Sequence, residues 1–213
     1  MIFNEFIQTL KQGLAQPLPG EKFQLRMTSN RRIREMMNYD HTQEPIKSSV
    51  LILLFPGKAN SKPTFVVTLR PTYEGIHSGQ ISLPGGRYEV IDETLMQTAL
   101  RETSEEIGMD PEKVTIIGQL TELYIPPSNY LVQPFVGFTN GVPIFNAEPK
   151  EVKKIIEIPV KELLNNKNLV EKVITAGGFQ FTAPAFSIDG TTIWGATAMI
   201  LSEFKEILLK TGL

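Results

Sequence analysis

The chain has 213 residues, 21 Lys and Arg against 23 Asp and Glu for a formal net charge of −2, and no cysteine. That length supports one domain of ordinary core size, or one domain with an extension, and excludes two full domains. The balanced charge excludes nucleic acid held by bulk phosphate neutralisation, and the missing cysteines exclude a disulfide framework, thiolate-ligated zinc and a thiol nucleophile.

Ile2, Phe3, Phe6, Ile7, Leu10 and Leu14 recur at three- and four-residue intervals, which predicts an amphipathic helix stopped by Gln16-Pro17-Leu18-Pro19-Gly20. Residues 21–47 are polar and irregular, with a short helix suggested through Ile33, Met36 and Met37. The run Arg31, Arg32, Arg34 reads as a solvated basic face in preference to an anion site, and His41 as a surface residue. Val50 to Phe55 and Thr64 to Leu69 predict two strands of a hairpin. Further strands are predicted over Gln80 to Leu83, Val114 to Leu120, Tyr130 to Phe138 and Val152 to Ile158. A helix is predicted from about Asp92 to Ile107, ended by Gly108, and a last one from Thr197 to Lys210. The loop Tyr124 to Tyr130 reads as a rigid turn or as the lining of a pocket. Phe179, Phe181, Phe186 and Trp194 read as core. The start of the chain lacks the basic and apolar regions of a secretory leader. The apolar run Val50 to Phe55 is far short of a membrane span, so a cytoplasmic protein is expected.

The informative segment runs from Gly85 to Met109. On a helix, Glu102, Glu105 and Glu106 stand three and four residues apart, so three carboxylates crowd one turn beside an apolar stripe of Leu95, Met96, Ala99, Leu100, Thr103 and Ile107. Like charges at that spacing, near a helix C-terminus, disfavour the helix by a few tenths of a kcal/mol per pair, roughly. A hard cation such as Mg²⁺ or Mn²⁺ would offset that cost. Taken alone, the triplet reads first as a solvated acidic turn with Arg101 as partial counter-ion.

The wider spelling is Glu93, seven residues, Arg101-Glu102, then Glu105-Glu106, Gly108 and Met109, and it resembles the Nudix box. The stretch before it contains Arg70, His77, Gly79, Gln80, Pro84, Gly85, Gly86, Glu89 and Asp92. It is similar to the signature that precedes the box in coenzyme A pyrophosphatases of the Nudix superfamily. Departures are Arg87 at the first box position, Thr103 in an aliphatic slot, Leu83 for Phe, and Glu74-Gly75 where that subfamily carries Leu-Arg. The resemblance covers about residues 50 to 205.

That resemblance implies an α/β fold, a Nudix-type α/β/α sandwich with a mixed sheet, over residues 49–213. Residues 1–48 are expected as an N-terminal helix and extension packed on the same domain. It implies metal-dependent hydrolysis of a nucleoside diphosphate derivative: coenzyme A or acyl-CoA, cut to 3′,5′-ADP and (acyl-)4′-phosphopantetheine. The alternatives are ADP-ribose or a dinucleoside polyphosphate as substrate, or a non-catalytic binding module of the same fold. Mg²⁺ or Mn²⁺ would be held by Glu102, Glu105, Glu106 and the carbonyl of Gly85. The catalytic set is Glu105, Arg101 and Glu151. Within it, Glu105, or an acid of a later loop, Glu148 or Glu151, polarises the water, and Arg101 braces the loop or a box carboxylate. Arg70, His77, Gln80 and Gly86 are expected on the substrate. The partner implied is a small nucleotide, with no nucleic acid and no membrane. A homodimer is common among such relatives, with the N-terminal helix as a candidate contact.

Overall fold

The apolar run at Val50 lies at the centre of a sheet and is buried on both faces. A computed structural model describes residues 2–30, 32, 43–57, 62–72, 79–176 and 178–213. In chain order these form α1 (Phe3–Leu14), α2 (Glu21–Gln24), β1 (Ile46–Pro56), β2 (Pro63–Leu69), β3 (Ile81–Ser82), β4 (Gly85–Arg87) and α3 (Leu95–Ile107). After them come β5 (Thr115–Gln119), β6 (Leu123–Ile125), β7 (Tyr130–Phe138), β8 (Lys154–Pro159) and α4 (Val160–Leu164). The chain ends with β9 (Leu169–Ala176), β10 (Phe179–Ile188), β11 (Thr191–Trp194) and α5 (Gly195–Lys210).

Side chains along β1 alternate between two cores, as the two-residue period of a strand requires. Leu51, Leu53 and Phe55 pack with Ala99 and Ile107 of α3, while Ile52 and Leu54 pack with Phe204 and Leu208 of α5 and with α1. A strand covered on both sides reads as a continuous apolar run, which is why this one was legible. The result is the expected α/β/α sandwich. β1 pairs in parallel with β7, and antiparallel with β2 at one end and β4 at the other. β5 and β6 share the far side of β7, and β3 and β8 pair with β2, so the sheet is mixed. Among the described residues, no helix is long and apolar enough to cross a membrane.

Phe3, Phe6, Ile7 and Leu10 of α1 are buried in the same core as Phe204, Ile207 and Leu208 of α5. Each contributes about 2 kcal/mol by leaving water. The segment after α1 is held by one buried carboxylate. Glu203 of α5 accepts hydrogen bonds from the Gly20 N–H (3.0 Å), Gln24 Nε2 (2.9 Å) and Thr121 Oγ1 (2.6 Å).

The structure departs from the sequence reading in several places. The helix through the acidic turn begins at Leu95, not Asp92. Asp92 closes a 3-10 turn, Glu93 turns back at φ 54°, and the Thr94 hydroxyl caps the helix by accepting from the Gln97 N–H at 3.2 Å. Gly108, at φ 69°, ends it as expected. Met96 is not part of the buried stripe but 40 % exposed, and Phe179, read as core, is 63 % exposed. The sheet β9–β10–β11 was not predicted. Its strands mix polar and apolar residues, but Asp189-Gly190 is a strong two-residue hairpin signal, both residues having positive φ. The short helix suggested through Ile33, Met36 and Met37, and His41, lie outside the described residues.

Candidate functional site

Gly85 and Gly86 bring the backbone of β4 against the acidic turn of α3. Gly85 has φ +148°, and a Cβ there would overlap the carbonyl of Ser49, so only glycine fits. Its N–H donates to Glu106 Oε2 at 3.3 Å. At Gly86, a Cβ would stand 2.5 Å from the Glu102 carboxylate carbon. Consecutive peptides of β4 thus lie against the two carboxylates that are four residues apart on the helix.

The third acid faces elsewhere. The side chains of Glu102 and Glu106 are 14 % and 2 % exposed, whereas that of Glu105 is 56 % exposed. On a helix, Glu105 lies about 100° around from Glu106, enough to turn it to solvent.

Arg101 ties this turn to the loop before it. Its Nε lies 2.6 Å from Asp92 Oδ1, and Nη2 donates to Asp92 Oδ2 and to the carbonyl of Arg87, each at 3.0 Å. Nη1 reaches Glu102 Oε1 at 3.0 Å and Glu105 Oε2 at 2.9 Å. Asp92 also accepts from the Glu89 N–H and from Thr98 Oγ1. The hydrogen bonds from Arg101 outweigh burial and hold the pKa of the Asp92 carboxyl at about 2; that of Arg101 in turn is pushed up, chiefly by the bond it donates to Asp92.

Burial acts the other way on the two acids against the glycines. It pushes Glu106 up to about 7, against Arg70, whose Nη2 lies 3.7 Å from Glu106 Oε1, and against the Gly85 N–H. Burial likewise raises Glu102, against the Arg101 charge. Glu151, on the loop before β8, adds a smaller upward push on both.

Arg70, Gln80, Gly85, Gly86, Glu102, Glu106 and Glu151 line one cavity of about 700 Å³. Arg101 and Glu105 are not in that lining, and His77 lies outside the described residues. The donor set is all oxygen, which fits a hard divalent cation. Such a charge would offset the burial that raises both carboxyls. Among the described residues, no three His, Asp or Glu side chains are already gathered at ligating range.

Several cavity residues were not singled out from the sequence. Trp194 and Phe181, read as core, face the cavity and meet edge to face with ring centres 5.7 Å apart. Both readings of the Tyr124–Tyr130 loop hold: Pro126–Ser128 is a 3-10 turn between β6 and β7, and Ile125, Pro127, Ser128 and Tyr130 line the cavity. Arg32 is also in the lining and is 9 % exposed, so it is not part of a solvated face; Arg31 and Arg34 lie outside the described residues.

Residues 45–175 match the NUDIX domain. Over 154 residues the chain is 32 % identical to the uncharacterised Nudix hydrolase NudL of Photorhabdus laumondii, across 72 % of this chain and 82 % of that one. Over 184 residues it is 30 % identical to NudL of Yersinia enterocolitica, across 84 % and 94 % of the two chains. Among solved structures, a Nudix hydrolase from M. smegmatis, RenU, aligns with a TM-score of 0.57 over 86 % of this chain and 94 % of that one. At 13 % identity that likeness speaks for the fold alone.

Proposed function

The chain belongs to the Nudix hydrolase family, which acts on pyrophosphate bonds, and on that premise we propose that it cleaves coenzyme A or acyl-CoA to 3′,5′-ADP and (acyl-)4′-phosphopantetheine. The observation that carries the reading is the convergence of Glu102, Glu106, Arg70 and the Gly85-Gly86 backbone on one cavity of nucleotide size. The coenzyme A signature from Arg70 to Asp92 supplies the substrate. We infer further that residues 49–213 are the Nudix domain, with residues 1–48 an extension packed on it. The protein is taken as cytoplasmic, with a homodimer as the assembly for light scattering to test.

Nudix hydrolases generally use Mg²⁺ or Mn²⁺. Here Glu102, Glu106 and the Gly85 carbonyl would hold the ion, which would neutralise the diphosphate, acidify the attacking water and steady the leaving phosphate. Glu151 is the candidate base, because it lines the cavity while Glu105 is ion-paired to Arg101 on the solvent side. It takes a proton as the water oxygen bonds to one phosphorus and the bridging P–O bond of the diphosphate breaks. Arg70 and Gln80 bind phosphate oxygens, with Gly86 in the same lining, and His77, outside the described residues, remains the further substrate contact that the resemblance implies. Arg101 is a positioning residue, tying Glu102 to Asp92 and to the carbonyl of Arg87.

A second reading, favoured by Gly75 where coenzyme A pyrophosphatases carry arginine, is ADP-ribose or a dinucleoside polyphosphate as substrate. A third is a binding module without turnover. Incubation with coenzyme A, an acyl-CoA, ADP-ribose and a dinucleoside polyphosphate, each with Mg²⁺ or Mn²⁺, separates them by the phosphate-containing products. Coenzyme A left intact while ADP-ribose is cut overturns the first reading, and no product from any compound leaves the binding module.

A further inference from the structure

The cavity has a second face that is apolar. Phe181 and Ala183 of β10, Trp194 of β11, and Ala196 and Ile200 of α5 line it. Trp194 is half-buried and meets Phe181 edge to face, and beside it a Cβ on Gly195 would meet nothing within 4 Å, so the space in front is open. The hydroxyl of Thr197, which also lines the cavity, donates to the Ile81 carbonyl at 3.0 Å. The N-cap residue of α5 is Trp194 itself, so the first N–H groups of that helix have no side-chain cap. The face therefore presents ring and methyl groups, with peptide donors along one edge.

Strand pairing places this face relative to the acids. Ile81, which accepts from Thr197, pairs with Leu69, the residue before Arg70, and Arg70 lies 3.7 Å from Glu106. The face thus begins one strand, about 4.8 Å, and one hydrogen bond from the backbone that carries Arg70. A group joined directly to a diphosphate there is within its reach. The five residues also share a place in the chain. All lie after residue 175, where the match to the NUDIX domain ends, whereas Arg70, Glu102, Glu106 and Glu151 lie inside it. In a nucleoside diphosphate derivative the nucleotide is the common half, and the group on its far phosphate is the half that varies. A wall built outside the family-wide domain suits the half that varies.

We propose that this face, centred on Trp194, is the subsite for the pantetheine arm of the substrate. The proposal rests on the coenzyme A reading above and adds the direction in which the substrate lies: pantetheine towards β10, β11 and the start of α5, adenosine away from them. In pantetheine a carbon bearing two methyl groups stands two bonds from the phosphate ester oxygen, followed by a hydroxyl and an amide carbonyl. The indole and the alanine methyls take the two methyl groups, and the N–H groups at the start of α5 take the amide carbonyl. ADP-ribose places a hydroxylated ring at the same point, and a dinucleoside polyphosphate places further phosphate there, so neither has an apolar group to bury.

Trp194 is the only tryptophan in the chain, so its fluorescence reports on this face alone. The full chain in Mg²⁺ is titrated with 4′-phosphopantetheine and, separately, with 5′-AMP; neither contains a diphosphate, so binding is read without turnover. 4′-Phosphopantetheine should move the emission to shorter wavelength and saturate, as it takes the place of water against the indole, and 5′-AMP should leave the emission unchanged. In calorimetry, Trp194→Ala should weaken 4′-phosphopantetheine about tenfold, the weight of two buried methyl groups, and 5′-AMP by less than about twofold. Ala196→Leu, which fills the space instead of emptying it, should weaken the same ligand and carries the test if Trp194→Ala does not fold. An emission change with 5′-AMP alone makes the face a base site and overturns the proposal. A response to neither ligand, or an equal loss of both in the variants, overturns it too. If 4′-phosphopantetheine is held through Trp194 while coenzyme A is not hydrolysed, the subsite is supported and the coenzyme A reading fails. Hydrolysis of coenzyme A with no response to 4′-phosphopantetheine does the reverse.

Discussion

Replacing Gly86 with alanine should silence the enzyme while leaving it folded. The added Cβ would stand 2.5 Å from the carboxylate carbon and both oxygens of Glu102, about 1 Å inside an ordinary contact of about 3.5 Å. Glu102 is the free end of a flexible side chain, so it yields rather than the backbone, and swings away from the Gly85-Gly86 turn. A displacement of about 1 Å in a positioned group costs about 10²-fold in rate. Unfolding free energy should change by less than about 1 kcal/mol, since no core is opened and the new residue needs no strained backbone. The neighbouring Gly85→Ala should behave oppositely. Its Cβ would meet the Ser49 carbonyl and the Val50 backbone, which cannot rotate away, so that variant should lose thermal stability first. Product formation under saturating Mg²⁺, followed chromatographically alongside thermal unfolding, checks both. A Gly86→Ala enzyme that keeps near wild-type turnover would refute the placement of Glu102 at the reacting diphosphate.

Glu106→Gln should abolish hydrolysis with circular dichroism unchanged; an unaltered rate would remove Glu106 from the metal assignment. Asp92, held at about 2 against an ordinary 3.8, keeps its charge to lower pH folded than unfolded. Its contribution of about 2 kcal/mol is therefore complete above the unfolded value and lost as pH falls from 3.8 through 2. In urea unfolding, the gap between wild type and Asp92→Asn should be widest near neutrality and close towards pH 2; a constant gap contradicts this. Glu203→Ala leaves the Gly20, Gln24 and Thr121 donors facing a cavity and should cost about 3 kcal/mol or more, measurable by urea unfolding, with Glu203→Gln recovering part of it.

Elements with a strong period or a stop signal were legible in the amino-acid sequence. Helix α1 announced itself by spacing, β1 by its unbroken apolar run and α3 by Gly108. Position in space was harder to read. The offsets of three and four put Glu102, Glu105 and Glu106 on one turn, but not which of them meets a neighbouring strand. The pairing of Glu102 and Glu106 with β4 depends on a close approach that only Gly85 and Gly86 permit. Arg32 looked like any charge in a basic run, because local sequence says nothing of a contact with Tyr124, some ninety residues on. Trp194 and Phe181 sounded like core for a related reason: an aromatic that lines a cavity has the same spelling as one that fills it.

The interlock of residues 3–32 with 195–210 sets an order of events during synthesis. Met27 and Arg32 belong to the cavity wall, yet the segment that carries them is fastened to Glu203, the better part of two hundred residues downstream. Contacts that far apart form late. On the ribosome, the early wall must wait undocked until the final helix emerges, so a nascent chain stalled before residue 195 would have its acidic helix formed and its binding chamber still unbuilt.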